Sequence, residues 1–231
     1  MTAFRKILRQ VAALAAVSLA LSFGGPAAAQ DEDAEVQARI EAALAAALDT
    51  RPIAPAQLAL SVRFMNATDV ETKLEETLPW VLNPIRDEVL AGLPTGTTAA
   101  NTAVAAAALQ DALPVLKTDL RRKLTTALTR YYAVSLSAEA LKDLTAYSSS
   151  PLGQKSRRDP QALSADERQA VGAYSRTHPA MSELGPVLPD MLKTTEAIVT
   201  REKVAVAATL RLRMCEALKT QGAAPASCAA P

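Results

Sequence analysis

The chain has 231 residues, with 25 Lys and Arg against 24 Asp and Glu, a balance that offers no broad basic surface for nucleic acid and no general pull towards anionic membrane. Hydrophobic residues make up 49% but aromatics only 3%, so a core must be assembled from Leu, Val and Ala, which pack helices closely. One histidine, two cysteines and eight scattered glycines leave little for a metal centre, a histidine-dependent triad or a phosphate-cradling loop.

Residues 1–29 read as a secretory signal peptide. Arg5, Lys6 and Arg9 form a basic start, Val11 to Phe23 an apolar stretch, and Ala27, Ala28 and Ala29 a small-residue cleavage site before Gln30. Gly24, Gly25 and Pro26 cut the apolar stretch short of the roughly 20 residues a spanning helix needs. The expectation is a periplasmic or secreted product of a Gram-negative bacterium, not membrane-spanning once cleaved. Removal of the leader leaves 22 basic against 24 acidic residues. What remains divides into a helical domain over 30–221, with N-terminal helices in 30–98 and a second half in 99–221, and a tail over 222–231.

The first expected helix places Val36, Ile40, Leu44 and Leu48 at four-residue steps and stops at Pro52 and Pro55. A second begins near Pro55 and breaks at Asn66. Leu58, Leu60, Val62 and Phe64 alternate as in a strand, but Leu58, Val62 and Met65 also fit a helix, and helix is preferred in this company. A third, capped by Thr68 or Asp69, carries Val70, Leu74, Leu78, Val81, Ile85 and Val89, with Pro79 and Pro84 kinking it around Trp80. Leu93 to Thr97 is the clearest linker. A long amphipathic segment follows, from Leu109 through Leu113, Leu116, Leu120, Leu124 and Leu128 to Tyr131, bent at Pro114.

Next comes Leu136 to Lys155. Ser137 is a good N-cap, Glu139 complements the dipole, and Leu136, Ala140, Leu141, Leu144 and Tyr147 share a stripe. Pro151 ends that helix, and Ser150 with Pro151 starts a new turn carrying Gly153, Gln154 and Lys155. Ser137, Leu141, Leu144, Tyr147, Ser150, Pro151, Gly153, Gln154 and Lys155 together resemble the signature T-x-x-E-L-x-x-L-x-x-F-Y-x-S-P-x-G-x-K of a family of secreted, all-helical bacterial domains of unknown function. The resemblance covers residues 55–160 and is concentrated in 131–155. It implies a helical fold and an exported location, and brings no activity or catalytic residue with it. The chain departs from the pattern at Ser156, Arg157, Arg158 and Asp159, polar where the family continues with an apolar helix, and at Pro160.

An echo lies 27 residues further on: Leu163, Ser164, Ala165 and Asp166, then Val171, Ala173, Tyr174 and Ser175, repeat the register of the signature helix, with Glu167 completing a capping box. Duplication and convergent use of a good cap and stripe both explain it. Pro186 and Pro189 are expected to open a long final helix ending at Gln221, with Gly222 as its stop, bracing an all-α multi-helix bundle.

Three features remain as candidate sites. Cys215 and Cys228 lie within reach of each other, and in an oxidising compartment a disulfide is expected rather than free thiols or an intermolecular link. Lys117, Arg121, Arg122, Lys123 and Arg130 line one helix, and Lys155, Arg157 and Arg158 follow the corner; convergence of Arg121, Arg122, Lys155 and Arg158 would make an anion contact, against the plainer reading of solvated faces. Tyr147 and Tyr174 either line an apolar groove or pack as core aromatics with hydroxyls at the rim. His178, just before Pro179, reads as a corner residue. No catalytic residue, cofactor or metal is assigned. The expectation is a non-enzymatic exported protein that binds a protein partner or envelope component; the alternative is a carrier of a small apolar or lipid-like ligand in an inter-helix cavity.

Overall fold

The structure, a computed structural model, describes residues 52–223 and 228. The leader over 1–29 and the helix expected around Val36 to Leu48 lie outside the described residues. Among the described residues there are seven α-helices and no strand: α1 Pro55–Ala67, α2 Val70–Ala91, α3 Ala99–Ser135, α4 Ala138–Ser149, α5 Pro151–Arg158, α6 Ala165–Thr177 and α7 Pro179–Thr220, with a 3-10 turn at Pro160–Ala162. The protein is an all-α bundle with a long C-terminal helix. Residues 58–64 are helical, in keeping with Leu58, Val62 and Met65 at helical spacing.

Prolines decide fewer boundaries than their chemistry suggests. Pro79 and Pro84 lie inside α2, Pro114 inside α3, and Pro186 and Pro189 inside α7, so the final helix starts at Pro179 rather than at Pro186 or Pro189. An interior proline removes a helical hydrogen bond and costs about 3 kcal/mol. Pro84, Pro114, Pro186 and Pro189 all face solvent, where water can take up the freed carbonyls. In α7 Leu184, Val187 and Met191, around these prolines, are buried, and each apolar side chain withdrawn from water contributes roughly 1.5–3 kcal/mol in compensation. At 42 residues α7 extends about 63 Å.

The described residues form two compact units, one from 52 to Leu74 with Leu124–Ala197, the other Glu75–Lys123 with the described residues from Ile198 onward. This division does not follow the halves expected on either side of the linker, because α2, α3 and α7 each contribute residues to both units; Gly96, with its positive φ of 93°, falls in a turn within the second.

In the first unit α1 packs on α4. The Ser61 hydroxyl donates to Thr129 O at 2.6 Å, and the Gln57 amide to Leu136 O at 2.7 Å, tying α1 to the C-terminal part of α3. Phe64 meets Tyr132 edge to face with centroids 5.1 Å apart, and the Tyr131 hydroxyl donates to Val187 O at 3.2 Å. Asp69, between α1 and α2, holds a φ of 55°, a left-handed conformation that aspartate tolerates better than most residues. Its carbonyl accepts the Lys73 N–H at 3.1 Å and so starts α2.

The second unit buries Leu78, Leu82, Leu109, Leu120, Leu210 and Leu218 among its core residues. Its flanks carry ion pairs: Glu75 with Lys117 and Arg121, Asp119 with Arg122 and Lys123, and Glu202 with Lys123 at 2.7 Å and Arg201 at 3.0 Å. Lys117 beside Glu75 and Lys123 beside Glu202 hold these carboxyls below the usual carboxylate range. Cys215 and Cys228 are joined, with Cα atoms 5.4 Å apart. Closing a loop over a separation of 13 residues contributes about 3 kcal/mol in the chain-entropy account and ties Cys228 to α7.

Candidate functional site: the serine-proline corner and the tyrosine stack

The signature residues assemble a corner in the first unit. Ser150 serves two helices at once: its hydroxyl donates to Tyr147 O at 2.7 Å, closing α4, and accepts the Gly153 N–H at 3.0 Å, capping α5. Its backbone N–H also reaches Tyr147 O, at 3.0 Å. Pro151 sits in the first turn of α5, where its missing N–H has no partner to lose. Gly153 is required by space, because a Cβ there would run into the Tyr147 carbonyl and the backbone beside it. The Gln154 amide donates to Ser149 O at 2.9 Å.

Lys155 reaches across to the next helix and donates to both oxygens of Glu167, at 2.9 and 2.7 Å. Glu167 also accepts the Ser164 N–H at 2.7 Å while Ser164 Oγ accepts the Glu167 N–H at 3.1 Å, so the capping box of α6 and the signature lysine share one carboxylate. Lys155, then the Ser164 amide, hold that carboxyl below its ordinary range.

The polar run Ser156 to Asp159 turns inward at its first two residues. Arg157 keeps only 12% of its side chain exposed, donates to Ser148 O at 2.8 Å and lies 3.8 Å from Asp69. Burial pushes its ionisation down, opposed by Asp69. Ser156, also buried, donates to Gly153 O at 2.9 Å. The polar run is accommodated because Ser156 and Arg157 find backbone partners inside while Arg158 and Asp159 stay exposed.

Against this corner lies an aromatic column. Tyr147 and Tyr174 stack with centroids 3.9 Å apart and planes 8° from parallel, and His178 covers Tyr174 at 4.4 Å and 24°. The two tyrosines, at equivalent positions of the sequence echo, therefore meet face to face. The Tyr174 hydroxyl points to Asp143 O at 3.5 Å. The Tyr147 hydroxyl oxygen and His178 Nδ1 are buried without hydrogen-bond partners. Burial first, then Asp143 and Tyr147, pushes Tyr174 up to about 12, and burial also raises Tyr147, with Ser156 and Arg157 acting in the opposite sense.

Each cation expected at an anion contact has its own carboxylate. Arg121 pairs with Glu75 at 3.0 Å and Arg122 with Asp119 at 2.5 Å in the second unit, and Lys155 pairs with Glu167 while Arg158 lies 4.0 Å from Asp69 in the first. Among the described residues no three potential metal ligands come together, and no helix is long and apolar enough to cross a membrane. Two participants were not expected here from the sequence: Asp69, read there only as a candidate cap and placed beside Arg157 by its left-handed backbone, and Glu183, whose carboxylate accepts both the N–H and the hydroxyl of Ser137 at 2.9 Å. Compared with known proteins, the chain matches no family model, no curated protein and no solved structure.

Proposed function

We propose that this is a non-enzymatic, exported helical protein that binds a protein partner or another component of the cell envelope, through the outer face of α2 around Trp80. The observation that carries this reading is Trp80 itself, 65% exposed on a helix whose Leu74, Leu78, Val81, Leu82, Ile85 and Val89 are all buried. An indole leaves a large apolar area in water, and such rings act as anchors when a partner covers them. It is the chain's single tryptophan. The non-enzymatic part draws on the corner, where Ser150, Gln154 and Lys155 are committed to capping and pairing contacts. Export draws on the leader pattern, on the disulfide and on the resemblance of the signature to secreted domains.

The test places a photo-crosslinking residue at position 80 in cells, with position 103, exposed on α3, as control. One recurrent adduct at 80 and not at 103 is the expected result; equal or absent labelling at the two positions across growth conditions overturns the reading. Trp80→Ser should weaken capture while shifting folding stability by no more than about 0.5 kcal/mol, as for other exposed positions. Sequencing the N-terminus of the mature product checks export separately, and a product still beginning at Met1 in the cytoplasm sinks it.

A further inference from the structure

The geometry points to Tyr147 and Tyr174 as an oxidative cross-linking site, at which a one-electron oxidant, such as a haem peroxidase using hydrogen peroxide, joins the two rings carbon to carbon as dityrosine and staples α4 to α6.

The chain has four tyrosines, and they form two pairs. Tyr131 and Tyr132 are 4% and 3% exposed, with centroids 6.2 Å apart and planes 68° from parallel, so neither face-to-face approach nor an oxidant is at hand. Tyr147 and Tyr174 are each half-buried, which leaves part of each residue open to solvent, and they overlap at 3.9 Å and 8°. A phenoxyl radical carries much of its spin on the carbons ortho to oxygen, and two radicals approach with their faces overlapped before the ortho carbons bond. The stack supplies that arrangement before any oxidation. His178 occupies the second face of Tyr174, so the ring lies between an imidazole and Tyr147 and has one tyrosine within reach. This favours a bond within the chain over one between chains.

The balance closes. Each tyrosine gives up one electron and its phenolic proton, the two radicals form one C–C bond between ortho carbons, and each ring hydrogen at that bond shifts to restore a phenol. The pair loses two hydrogens in all, and one peroxide takes them up to become two waters. Nothing but the named oxidant is consumed. The bond spans positions 147 and 174, on helices that already touch through this pair, so neither helix must unwind to make it.

The experiment treats the oxidised, disulfide-intact protein with a haem peroxidase and limiting hydrogen peroxide, in a Trp80→Phe background that removes a competing exposed indole, and then digests it with trypsin. The expected product joins the peptides Asp143–Lys155 and Gln169–Arg176 through a dityrosine, two hydrogens lighter than their sum, in protein that remains monomeric. Tyr174→Phe and Tyr147→Phe should each abolish it, and Tyr131→Phe should leave its yield unchanged. Photochemical oxidation with a ruthenium complex and persulfate repeats the test without an enzyme's access limits. Coupling confined to protein dimers, coupling through Tyr131 or Tyr132, or tyrosine oxidation with no linked peptide under both oxidants would overturn the assignment.

Discussion

Helices α4 and α6 share a serine cap, an acidic first turn and a tyrosine ten residues after the cap, yet α4 buries Ala140, Leu141, Leu144 and Ser148 while α6 buries Ser175. The positions 27 residues on from Ala140 and Leu141 are Glu167 and Arg168, which belong in water. Caps and dipoles thus decide that both segments become helices, and the side chains at the third and fourth helical positions decide which one enters the core. The kept tyrosine then attaches the outer helix to the inner one.

The sharpest way to break this comparison is to truncate the two equivalent side chains. Leu141→Ala, at a residue with no exposure, should cost about 2–5 kcal/mol in denaturant unfolding, whereas Arg168→Ala should stay within about 0.5 kcal/mol. Equal losses would mean that α6 is as integral as α4. Glycines give a second contrast. Gly153→Ala forces a Cβ onto the Tyr147 carbonyl and should cost about 1–3 kcal/mol, whereas at Gly172 the new methyl meets only the movable end of Arg176, at 3.1 Å. There the higher helix propensity of alanine should raise stability by about 0.5–1 kcal/mol, measured by the same unfolding curves.

Removing the caps should produce a smaller effect. Ser137→Ala and Ser164→Ala should each cost about 1 kcal/mol, with Ser137 the more costly because Glu183 also depends on it. A larger loss at Ser164, read from thermal unfolding, would reverse the ranking of the two helices. The smallest effect is one of pH. Glu167 has a folded-state pKa below its ordinary 4.5, so its links to Lys155 and to the Ser164 amide are at full strength above 4.5 and are lost as pH falls through the lower folded value. Amide exchange in α6 should therefore quicken on acidification before exchange in α4 does; uniform quickening would show that the carboxylate is incidental.

The local features of this fold were legible in the sequence because their causes are local. A serine followed by proline specifies the corner, S-A-D-E specifies the α6 cap, and the short path from Cys215 to Cys228 permits the disulfide, all of which the structure contains. The start of α7 was not, because a proline's disruption depends on whether it faces water, and that is known only once Leu184 and Met191 have found the core. The two compact units were illegible for a related reason: the linker at Gly96 marks a turn in the chain, while unit boundaries at Leu74, Leu124 and Ile198 fall inside uninterrupted helices. The stacking of Tyr147 on Tyr174 needed the meeting of two faces that periodicity treats separately, although their matching places in the echo were visible. For the cations, spacing revealed a shared face but not that Glu75, Asp119 and Glu167 stand opposite them.

The distribution of ultraviolet-absorbing rings has a practical consequence. All four tyrosines fall in the first unit and the one tryptophan in the second, so each half of the molecule carries its own intrinsic chromophore. Emission from the indole and circular dichroism from the phenols, recorded on one unlabelled sample during heating, give two separate melting curves. Their superposition or separation decides whether the halves unfold as a single cooperative body.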